Sequence, residues 1–515
     1  LTLVPSRGLA ARKAKALEDK LADYLNGLSE EEKQQMVQRT KDLEAYQEAE
    51  EDPEAAKCIP MLKREDIRKE ADKFYNEELD VDGSLFLYHD VPTNGIGYLD
   101  LMFDLKSLSP DKVPYLGLLK SILGYVNTAH YTYGELSNEI NAETGGIVCG
   151  VEVFDRADSV DEYRAFFGVK GKVMYPKTDV MFCMIREILN TSDVTDTRRL
   201  HEIISRVKSR AQSSLVSAGH STAVLRAASY GSPMAAFQDT MAGIAYYQFI
   251  EKLDKEFEER KDEIIENLKS LMTEILRPEN LSVSYTGERE SLETMQKQVR
   301  ELKKTLHQEA VETSPAPMIC EKKNEGFMTS GQVQYAAQAG NFRKKGFAYT
   351  GVLNILKVAL SYDYLWINIR VKGGAYGCMS GFKYSGESFF VSYRDPHLKR
   401  TYDVFAGIPD YVRGFKADER EMTKYIIGTI SGKDVPKTPQ MKGNASKGAY
   451  FCGVTEEMMQ KERDEILNAQ AEDIQALAPL IEAILSDEEI CVVGSEPKVQ
   501  KEEALFGSIS PLING

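Results

Sequence analysis

The chain has 515 residues, which is too long for one compact hydrophobic core, so two or more domains are expected. Hydrophobic residues make up 42% and charged residues 28%, a balance typical of soluble globular proteins and not of disordered ones. The net charge of −16 disfavours nucleic acid and anionic membranes as partners. It fits either a basic ligand or a surface whose charge only maintains solubility.

The sequence shows no recognisable targeting signal or membrane-spanning segment. No apolar run approaches the ~18 residues needed to span a bilayer, and the first residues show no basic segment followed by an apolar one. The chain also starts without Met, which favours the interpretation that it is cut from something longer.

The seven cysteines are scattered, odd in number and never spaced as C-x-x-C, which argues against a disulfide framework and a thiolate metal site. They predict buried, inert thiols in a reducing, bacterial-type cytoplasm. If the protein is eukaryotic, an organelle matrix is expected instead. The cysteines are Cys58, Cys149, Cys183, Cys320, Cys378, Cys452 and Cys491.

Residues 1–55 are predicted to form a charged helical hairpin. Apolar residues recur at helical spacing between Leu17 and Leu25, Gly27 ends the first helix, and residues 29–32 form a capping box that opens the second. A hairpin this polar cannot be a core. It either links two larger bodies, packs along their edge, or is a frayed terminus.

Residues 56–276 and 277–515 are predicted to form two related α/β domains. In the first domain the predicted strands are 84–89, 96–104, 147–154 and 163–173, and the predicted helices are 111–125, 132–143, 178–189, one from about 196, and one through 253–271. The second domain is predicted to open with a strand at 281–286 and a helix at 292–306, followed by strands near 345–350, 364–371, 379–384, 388–394 and 490–493 and helices at 351–361, 398–412, 417–429, 455–466 and 472–485. Strands at hairpin spacing with long helices between groups indicate an α+β fold of mainly antiparallel sheets packed with helices, and two units of similar length imply a structural duplication.

Motifs for self-sufficient catalysis are lacking. The pair His201-Glu202 lies on a predicted helix, but Ser205 stands where H-E-x-x-H needs its second His, and the inverted H-x-x-E-H form is absent. No metal site is therefore predicted in this chain. Neither a G-x-S-x-G elbow nor a Walker A loop occurs. The six histidines are far apart: His89, His130, His201, His220, His307 and His397.

The segment 364–377 combines a predicted strand with a glycine pair. As a strand, its apolar residues at 365, 367, 369 and 371 would share the core face, which aims Arg370 away from the core. Gly373 and Gly374 permit unusual φ angles and place Tyr376 just past the turn. Arg370 and Tyr376 together could bind a peptide carbonyl or an oxyanion; the alternative is a hairpin with an exposed Arg and a core Tyr.

At this segment the chain resembles a known family. Arg370, six residues before Tyr376 in Arg-Val-Lys-Gly-Gly-Ala-Tyr-Gly, resembles the substrate-binding Arg/Tyr pair in the C-terminal half of the pitrilysin (M16) metallopeptidases. Further segments narrow the resemblance to subfamily C of this family, the branch of presequence proteases and falcilysins, including its associated domain. These segments are 43–47 with 52–55, 94–101, 131–136, 144–147, 217–220 and 226–227.

The resemblance implies a clamshell of four related α/β domains, two per half, with a helical hairpin between the halves. Zinc and the catalytic Glu would belong to the N-terminal half, missing here, so no metal is expected in this chain. Tyr376 is then expected to be the catalytic oxyanion donor, and Arg370, Gly373 and Gly374 to bind substrate. The implied partners are the zinc-binding half and unstructured, preferably basic, peptides, with no nucleic acid and no membrane.

Two other functions stay open. One is a non-catalytic M16-fold subunit or peptide-binding module, and the other is a purely structural interaction protein. The reading frame upstream discriminates between the first of these and a peptidase half, because a preceding H-x-x-E-H favours the peptidase.

Overall fold

A computed structural model describes residues 6, 8–49, 55 and 58–513. The chain divides into two compact units, Leu1–Lys63 and Arg64–Gly515. Asp52-Pro53, expected to close the helical hairpin, lies outside the described residues.

In the described residues of the first unit, the chain forms the helices α1 (Leu9–Gly27) and α2 (Glu30–Glu48). The predicted capping box opens α2: the Ser29 hydroxyl accepts a hydrogen bond from the backbone N–H of Glu32 at 3.2 Å, and the Glu32 carboxylate accepts one from the Ser29 N–H at 2.8 Å. The apolar side chains at helical spacing, such as Leu17 and Leu21, are exposed.

The second unit is built on two six-stranded sheets. The first sheet has the order β1-β2-β6-β3-β5-β4, in which only β2 and β6 run parallel. Its strands are β1 (Glu77–Val81), β2 (Ser84–Asp90), β3 (Ile96–Asp104), β4 (Ile147–Asp155), β5 (Tyr163–Met174) and β6 (Leu281–Gly287).

The second sheet has the order β12-β7-β11-β8-β10-β9, and β7 runs parallel to both of its neighbours. Its strands are β7 (Glu325–Thr329), β8 (Tyr335–Asn341), β9 (Gly377–Phe382), β10 (Glu387–Tyr393), β11 (Glu489–Ser495) and β12 (Ser508–Pro511). The five strands β7 to β11 have the same order and the same relative directions as β2 to β6, which is the expected duplication.

Helices pack on these sheets and bury the apolar cores. The helices before β7 are α3 (Val113–Ile122), α4 (Tyr133–Glu143), α5 (Thr178–Thr191), α6 (Thr197–Ser217), α7 (Gly219–Ala228), α8 (Pro233–Ala242), α9 (Ile244–Lys255), α10 (Phe257–Ile275) and α11 (Arg289–Lys303). The later ones are α12 (Val352–Tyr362), a π-helix (Trp366–Val371), α13 (Lys399–Ala406), α14 (Ile408–Arg413), α15 (Glu419–Lys433), α16 (Pro439–Cys452), α17 (Glu456–Asn468), α18 (Ala471–Gln475), α19 (Ala478–Leu485) and α20 (Glu496–Lys501). Short 3-10 helices occur at Arg64–Asp66, Pro110–Lys112, Tyr175–Lys177, Pro278–Asn280, Arg343–Lys345 and Glu503–Leu505.

The two halves of this unit exchange helices. Helix α7, between β5 and β6 in the chain, packs on β8, β10 and β11 of the second sheet, where Ala223 and Ala227 are buried. Helix α16, at the equivalent place between β10 and β11, packs on β2, β4 and β6 of the first sheet. There the buried ammonium of Lys447 donates to the carboxylates of Asp100 and, at 2.8 Å, of Glu152. Each sheet is therefore covered in part by a helix from the other half.

Several predictions about local structure are wrong. Strand β6 pairs with β2 and β3, so the boundary expected between residues 276 and 277 cuts through the first sheet. Residues 345–350, predicted as a strand, form none. Among the cysteines, which are all free, Cys58 and Cys183 are exposed instead of buried. In each case the local sequence pattern is compatible with more than one tertiary environment. Contacts with distant segments decide which one forms.

Candidate substrate-binding site

The segment that carries Arg370 is a π-helix and not the predicted strand. The backbone N–H of Lys372 donates to the carbonyl of Ile367, five residues earlier, at 2.8 Å. Leu365 and Ile369, four residues apart, are buried, whereas the apolar side chains of Ile367 and Val371 are exposed. The run of apolar residues at alternate positions fits a strand, but burial follows the helical spacing.

Glycines end this helix for steric reasons. A Cβ atom on Gly373 would lie 2.3 Å from the carbonyl oxygen of Ile369, and Gly374 has φ +75°, in the left-handed region. The N–H groups of Gly374 and Ala375 donate to the carbonyls of Arg370 at 2.8 Å and Ile369 at 3.0 Å. The glycine pair thus turns the chain back so that Tyr376 returns to Arg370.

Arg370 and Tyr376 lie side by side. The guanidinium donates a hydrogen bond to the backbone carbonyl of Tyr376, and its Cζ atom lies 5.3 Å from the centroid of the Tyr376 ring. The same Cζ atom lies 4.4 Å from the centroid of the Trp366 ring. Within the described part of the chain, Arg370 forms an ion pair with no carboxylate, so its charge is available to a ligand.

The phenol of Tyr376 projects from the protein surface. Its side chain is 64% exposed, which contradicts the alternative of a core Tyr. The backbone N–H of Tyr376 donates to the carbonyl of Tyr393 at 3.0 Å, and the two rings meet edge to face with centroids 5.8 Å apart. This leaves the hydroxyl group of Tyr376 accessible while its ring is held on one edge.

An aromatic cluster packs next to Tyr376. The ring of Tyr393 contacts Tyr335 with centroids 5.5 Å apart and His220 with centroids 4.9 Å apart. His220 belongs to α7, one of the exchanged helices, so both halves of the large unit contribute to this aromatic cluster. Burial lowers the pKa of His220, which keeps the imidazole neutral at physiological pH.

The turn after β10 is rigidly held. Gln334 and Asp395 exchange two backbone hydrogen bonds of 2.8 Å, and the buried Asp395 carboxylate accepts from the Thr401 hydroxyl at 2.6 Å. Burial raises the pKa of Asp395, which opposes its charge, although the hydrogen bond from Thr401 partly offsets the effect. Tyr393 therefore presents its ring from a fixed backbone.

Sequence reasoning did not nominate Trp366, Tyr393 or His220 for this site. Trp366 could have been found, because it precedes Arg370 by four residues and stacks on it once the segment is helical. Tyr393 and His220 approach from distant segments and leave no local signal. His201, the other conspicuous histidine, stacks on Phe257 with ring centroids 4.3 Å apart, far from a metal-site arrangement.

No group of three or more His, Cys, Asp or Glu side chains among the described residues could hold a metal ion. The site therefore offers a guanidinium and a phenol without a metal or a nucleophile. Such groups can bind and stabilise an oxygen atom that carries negative charge, but cannot themselves attack a peptide bond.

Comparison with known proteins assigns the chain to a family. Residues 3–253 match the model of the domain associated with M16 peptidases of subfamily C, and residues 324–496, which include Arg370 and Tyr376, match the model of the PreP C-terminal domain. The protein HypA of Clostridium perfringens is 37% identical over 513 residues, which cover 100% of this chain and 52% of that protein. The chain belongs to subfamily C of the M16 peptidases.

A further curated relative supports this family assignment. Presequence protease 1, chloroplastic/mitochondrial, of Arabidopsis thaliana is 30% identical over 466 residues, covering 89% of this chain and 42% of that protein. The chain thus spans about half the length of the curated relatives it matches. The match to the PreP C-terminal domain identifies it as the C-terminal half.

Solved structures confirm the α+β fold. A conserved protein from Enterococcus faecalis superposes with a TM-score of 0.58 at 13% identity, covering 82% of this chain and 99% of that one. The peptidase M16 inactive domain from Pseudomonas fluorescens superposes with a TM-score of 0.54 at 11% identity, again covering 82% and 99%. Within the described ranges, none of the helices has the length and apolar character that a bilayer crossing requires.

Proposed function

We propose that this chain is the non-zinc-binding half of a zinc metalloendopeptidase that degrades unstructured peptides. The observation that supports the proposal is the guanidinium of Arg370 beside an exposed phenol, in a segment matched by the PreP C-terminal domain. The described residues offer no ligand set for zinc, so that ion would be held by the part of the relatives' length that this chain does not span.

Arg370 is the proposed substrate-binding residue. Its planar group presents several N–H donors, which suit a backbone carbonyl or a carboxylate of the peptide. Stacking on Trp366 and the hydrogen bond to the carbonyl of Tyr376 limit the orientations of the guanidinium before the peptide arrives. Gly373 and Gly374 permit the turn and let a peptide backbone approach closely.

Tyr376 is the proposed oxyanion donor. Hydrolysis of a peptide bond passes through a tetrahedral species whose former carbonyl oxygen carries negative charge. The exposed hydroxyl of Tyr376 would donate a hydrogen bond to that oxygen, and the nearby charge of Arg370 would stabilise it further. Both interactions strengthen as the charge develops, so they would accelerate the reaction instead of only tightening binding.

The expected substrates are unstructured and preferably basic peptides. A net charge of −16 favours cationic ligands. Relatives carry the names chloroplastic/mitochondrial and mitochondrial, so an organelle matrix is proposed for a eukaryotic protein and the cytoplasm for a bacterial one.

Reconstitution from two polypeptides tests the proposal. We expect the 515-residue chain alone to bind no stoichiometric zinc and to cleave no fluorogenic peptide. Adding the zinc-bearing half of the same protein should restore hydrolysis, and a chelator should abolish it. Zinc content is measured by atomic absorption and cleavage by fluorescence.

Two results would contradict the proposal. One is stoichiometric zinc, or peptide cleavage, in the isolated chain. The other is a stable complex of the two halves that binds peptide without hydrolysing it, which would favour the alternative of a non-catalytic peptide-binding subunit.

A further inference from the structure

A partly polar cavity lies in the first half of the large unit, and Arg370 is not among its lining residues. It has a volume of about 420 Å³ and is lined by residues of helices α3, α4, α5 and α6 and of the edge strand β4. Three of its lining side chains are cationic, Lys120, Arg206 and Arg210, and none is a carboxylate. In a chain with a net charge of −16, a cavity whose charged lining residues are all cationic requires an explanation.

The arginines of helix α6 differ in their partners. Arg206 and Arg210 form no ion pair with any carboxylate in the described part of the chain. By contrast, Arg198 and Arg199 both reach Glu202, and another cation of the same helix, Lys208, pairs with Asp254. Because Arg206 and Arg210 are four residues apart, they share one helix face, where like charges repel each other.

Lys120 adds a third charge, at the end of α3. Burial lowers its pKa, and the described residues supply no carboxylate to its ammonium, which lies 6.0 Å from the centroid of the Tyr246 ring. Burying a cation without an anion is costly. The thiol in the cavity, Cys149, cannot balance the charge, because burial raises its pKa to about 12 and keeps it neutral.

Three neutral donors also line the cavity, beside apolar residues such as Leu123 and Ile140. Ser121, Ser137 and Asn141 contribute hydroxyl and amide groups. The guanidinium of Arg206 lies over the ring of Tyr125, 5.3 Å from its centroid, which restrains it beside the cavity. This combination of restrained guanidinium, ammonium and neutral donors is suited to oxygen atoms with negative charge.

The internal duplication relates the position of this cavity to that of the Arg370 site. Strand β4 corresponds to β9, and both are edge strands. Each follows a Gly-Gly pair whose second glycine has a positive φ, +112° at Gly146 and +75° at Gly374. The cavity beside β4 is therefore the counterpart in the first half of the Arg370 site beside β9.

We propose that this cavity binds an anionic oxygen ligand, a phosphate or carboxylate group. The ligand comes either from a free phosphate compound or from the terminal carboxylate of a peptide. A bound anion would offset the repulsion between the arginines and the burial of Lys120. The proposal does not depend on the roles proposed for Arg370 and Tyr376.

Calorimetric titration of the full 515-residue chain tests this site, with inorganic pyrophosphate as the first probe at constant ionic strength. The second probe is a short peptide, compared with the same peptide amidated at its C-terminus. We expect Arg206→Gln and Arg210→Gln each to weaken binding of the recognised probe by about tenfold or more, because each removes a charged hydrogen-bond donor. Arg198→Gln is the matched control, since it removes the same charge from an exposed position on the same helix.

The outcomes identify the source of the ligand and decide whether the cavity is an anion site. Pyrophosphate binding that requires Arg206 and Arg210 identifies a free phosphate compound, and binding of only the non-amidated peptide identifies a terminal carboxylate. If neither probe binds, or if Arg198→Gln weakens binding as much as the cavity variants, the cavity is not an anion site. Unchanged pyrophosphate binding in Tyr376→Phe would show that the two sites are independent.

Discussion

At the scale of single residues, the site depends on how Arg370 is restrained. Its guanidinium contacts the rings of Trp366 and Tyr376 and donates to the carbonyl of Tyr376. These contacts fix a long side chain that would otherwise lose conformational entropy on binding a peptide. Tyr376 is held through its backbone, the edge-to-face contact with Tyr393 and the guanidinium of Arg370, and its hydroxyl stays accessible.

Replacing Tyr376 with Phe tests the oxyanion role in the reconstituted peptidase. We expect kcat to fall by roughly 100- to 1000-fold, the effect of losing one oxyanion donor, while KM changes little because the ring remains. Steady-state kinetics on a fluorogenic peptide measure both constants. Tyr362→Phe is the control, since Tyr362 is 71% exposed at the end of the neighbouring helix α12. An unchanged kcat in Tyr376→Phe would refute the role.

Replacing Arg370 with Lys tests the binding role. Lysine keeps the charge but loses the planar group that stacks on Trp366 and offers paired donors. Charged hydrogen bonds contribute about 1.5–3 kcal/mol, so we expect KM to rise by about tenfold or more, with a smaller change in kcat. A substitution that leaves KM unchanged would show that Arg370 does not hold the peptide.

At the scale of elements, the π-helix and its glycine end decide the geometry of the pair. The turn through Gly373 and Gly374 returns the chain to Arg370 within six residues. In the predicted strand, Arg370 would have faced solvent with Trp366 further along the same face. The helical segment instead stacks the two side chains, one turn apart.

Gly373→Ala should therefore disturb the site and the local fold together. The new Cβ atom would meet the carbonyl oxygen of Ile369 at 2.3 Å, and the backbone cannot yield without breaking the helix end. We expect the free energy of unfolding to fall by about 1–3 kcal/mol, measured by chemical denaturation. Gly432→Ala, on helix α15 with nothing within 4 Å of its Cβ position, should be neutral or slightly stabilising. Equal stability of the two variants would contradict the steric argument.

Elements also show where sequence patterns succeed. The capping box at Ser29 and the strands through 96–104 and 163–173 follow from local spacing, and the structure contains them. The short strands β1, β7, β8 and β12 were not predicted, and the pairing of β6 with β2 joins residues about 200 positions apart. Short apolar runs fit either a strand or a helix, so burial by distant segments decides between them.

At the scale of the whole molecule, the two halves of the large unit are joined by more than the exchanged helices. The carboxylate of Glu489, in β11, lies against Gly231 of the first half, where an added Cβ would approach it to 2.1 Å. Burial, assisted by the negative charge of Asp487, raises the pKa of Glu489 to about 7, although Lys344 and Lys322 partly oppose the shift. Glu387 adds a further unfavourable negative charge.

This contact should make stability depend on pH. Because the folded protein holds the proton of Glu489 more tightly than the unfolded chain, stability falls as pH rises from the ordinary Glu pKa of about 4.3 through about 7. We expect Glu489→Gln to be more stable than the native protein at about pH 8, by up to about 3 kcal/mol, and similar to it near pH 4. Thermal unfolding at both pH values measures the difference. Glu488→Gln, at an exposed neighbour, keeps Glu489 and should therefore retain the native pH profile; a native pH profile in Glu489→Gln would disprove the assignment.

The amino-acid sequence alone determined the family, the α+β class, the hairpin cap and the proximity of Arg370 to Tyr376, because each follows from residues close together in the chain. Only the tertiary structure decided that 366–371 is helical, that Tyr376 is exposed, that β6 belongs to the first sheet and that three cations line one cavity. These features arise from contacts between segments far apart in the chain, and a local pattern of apolar and polar residues is compatible with several such arrangements.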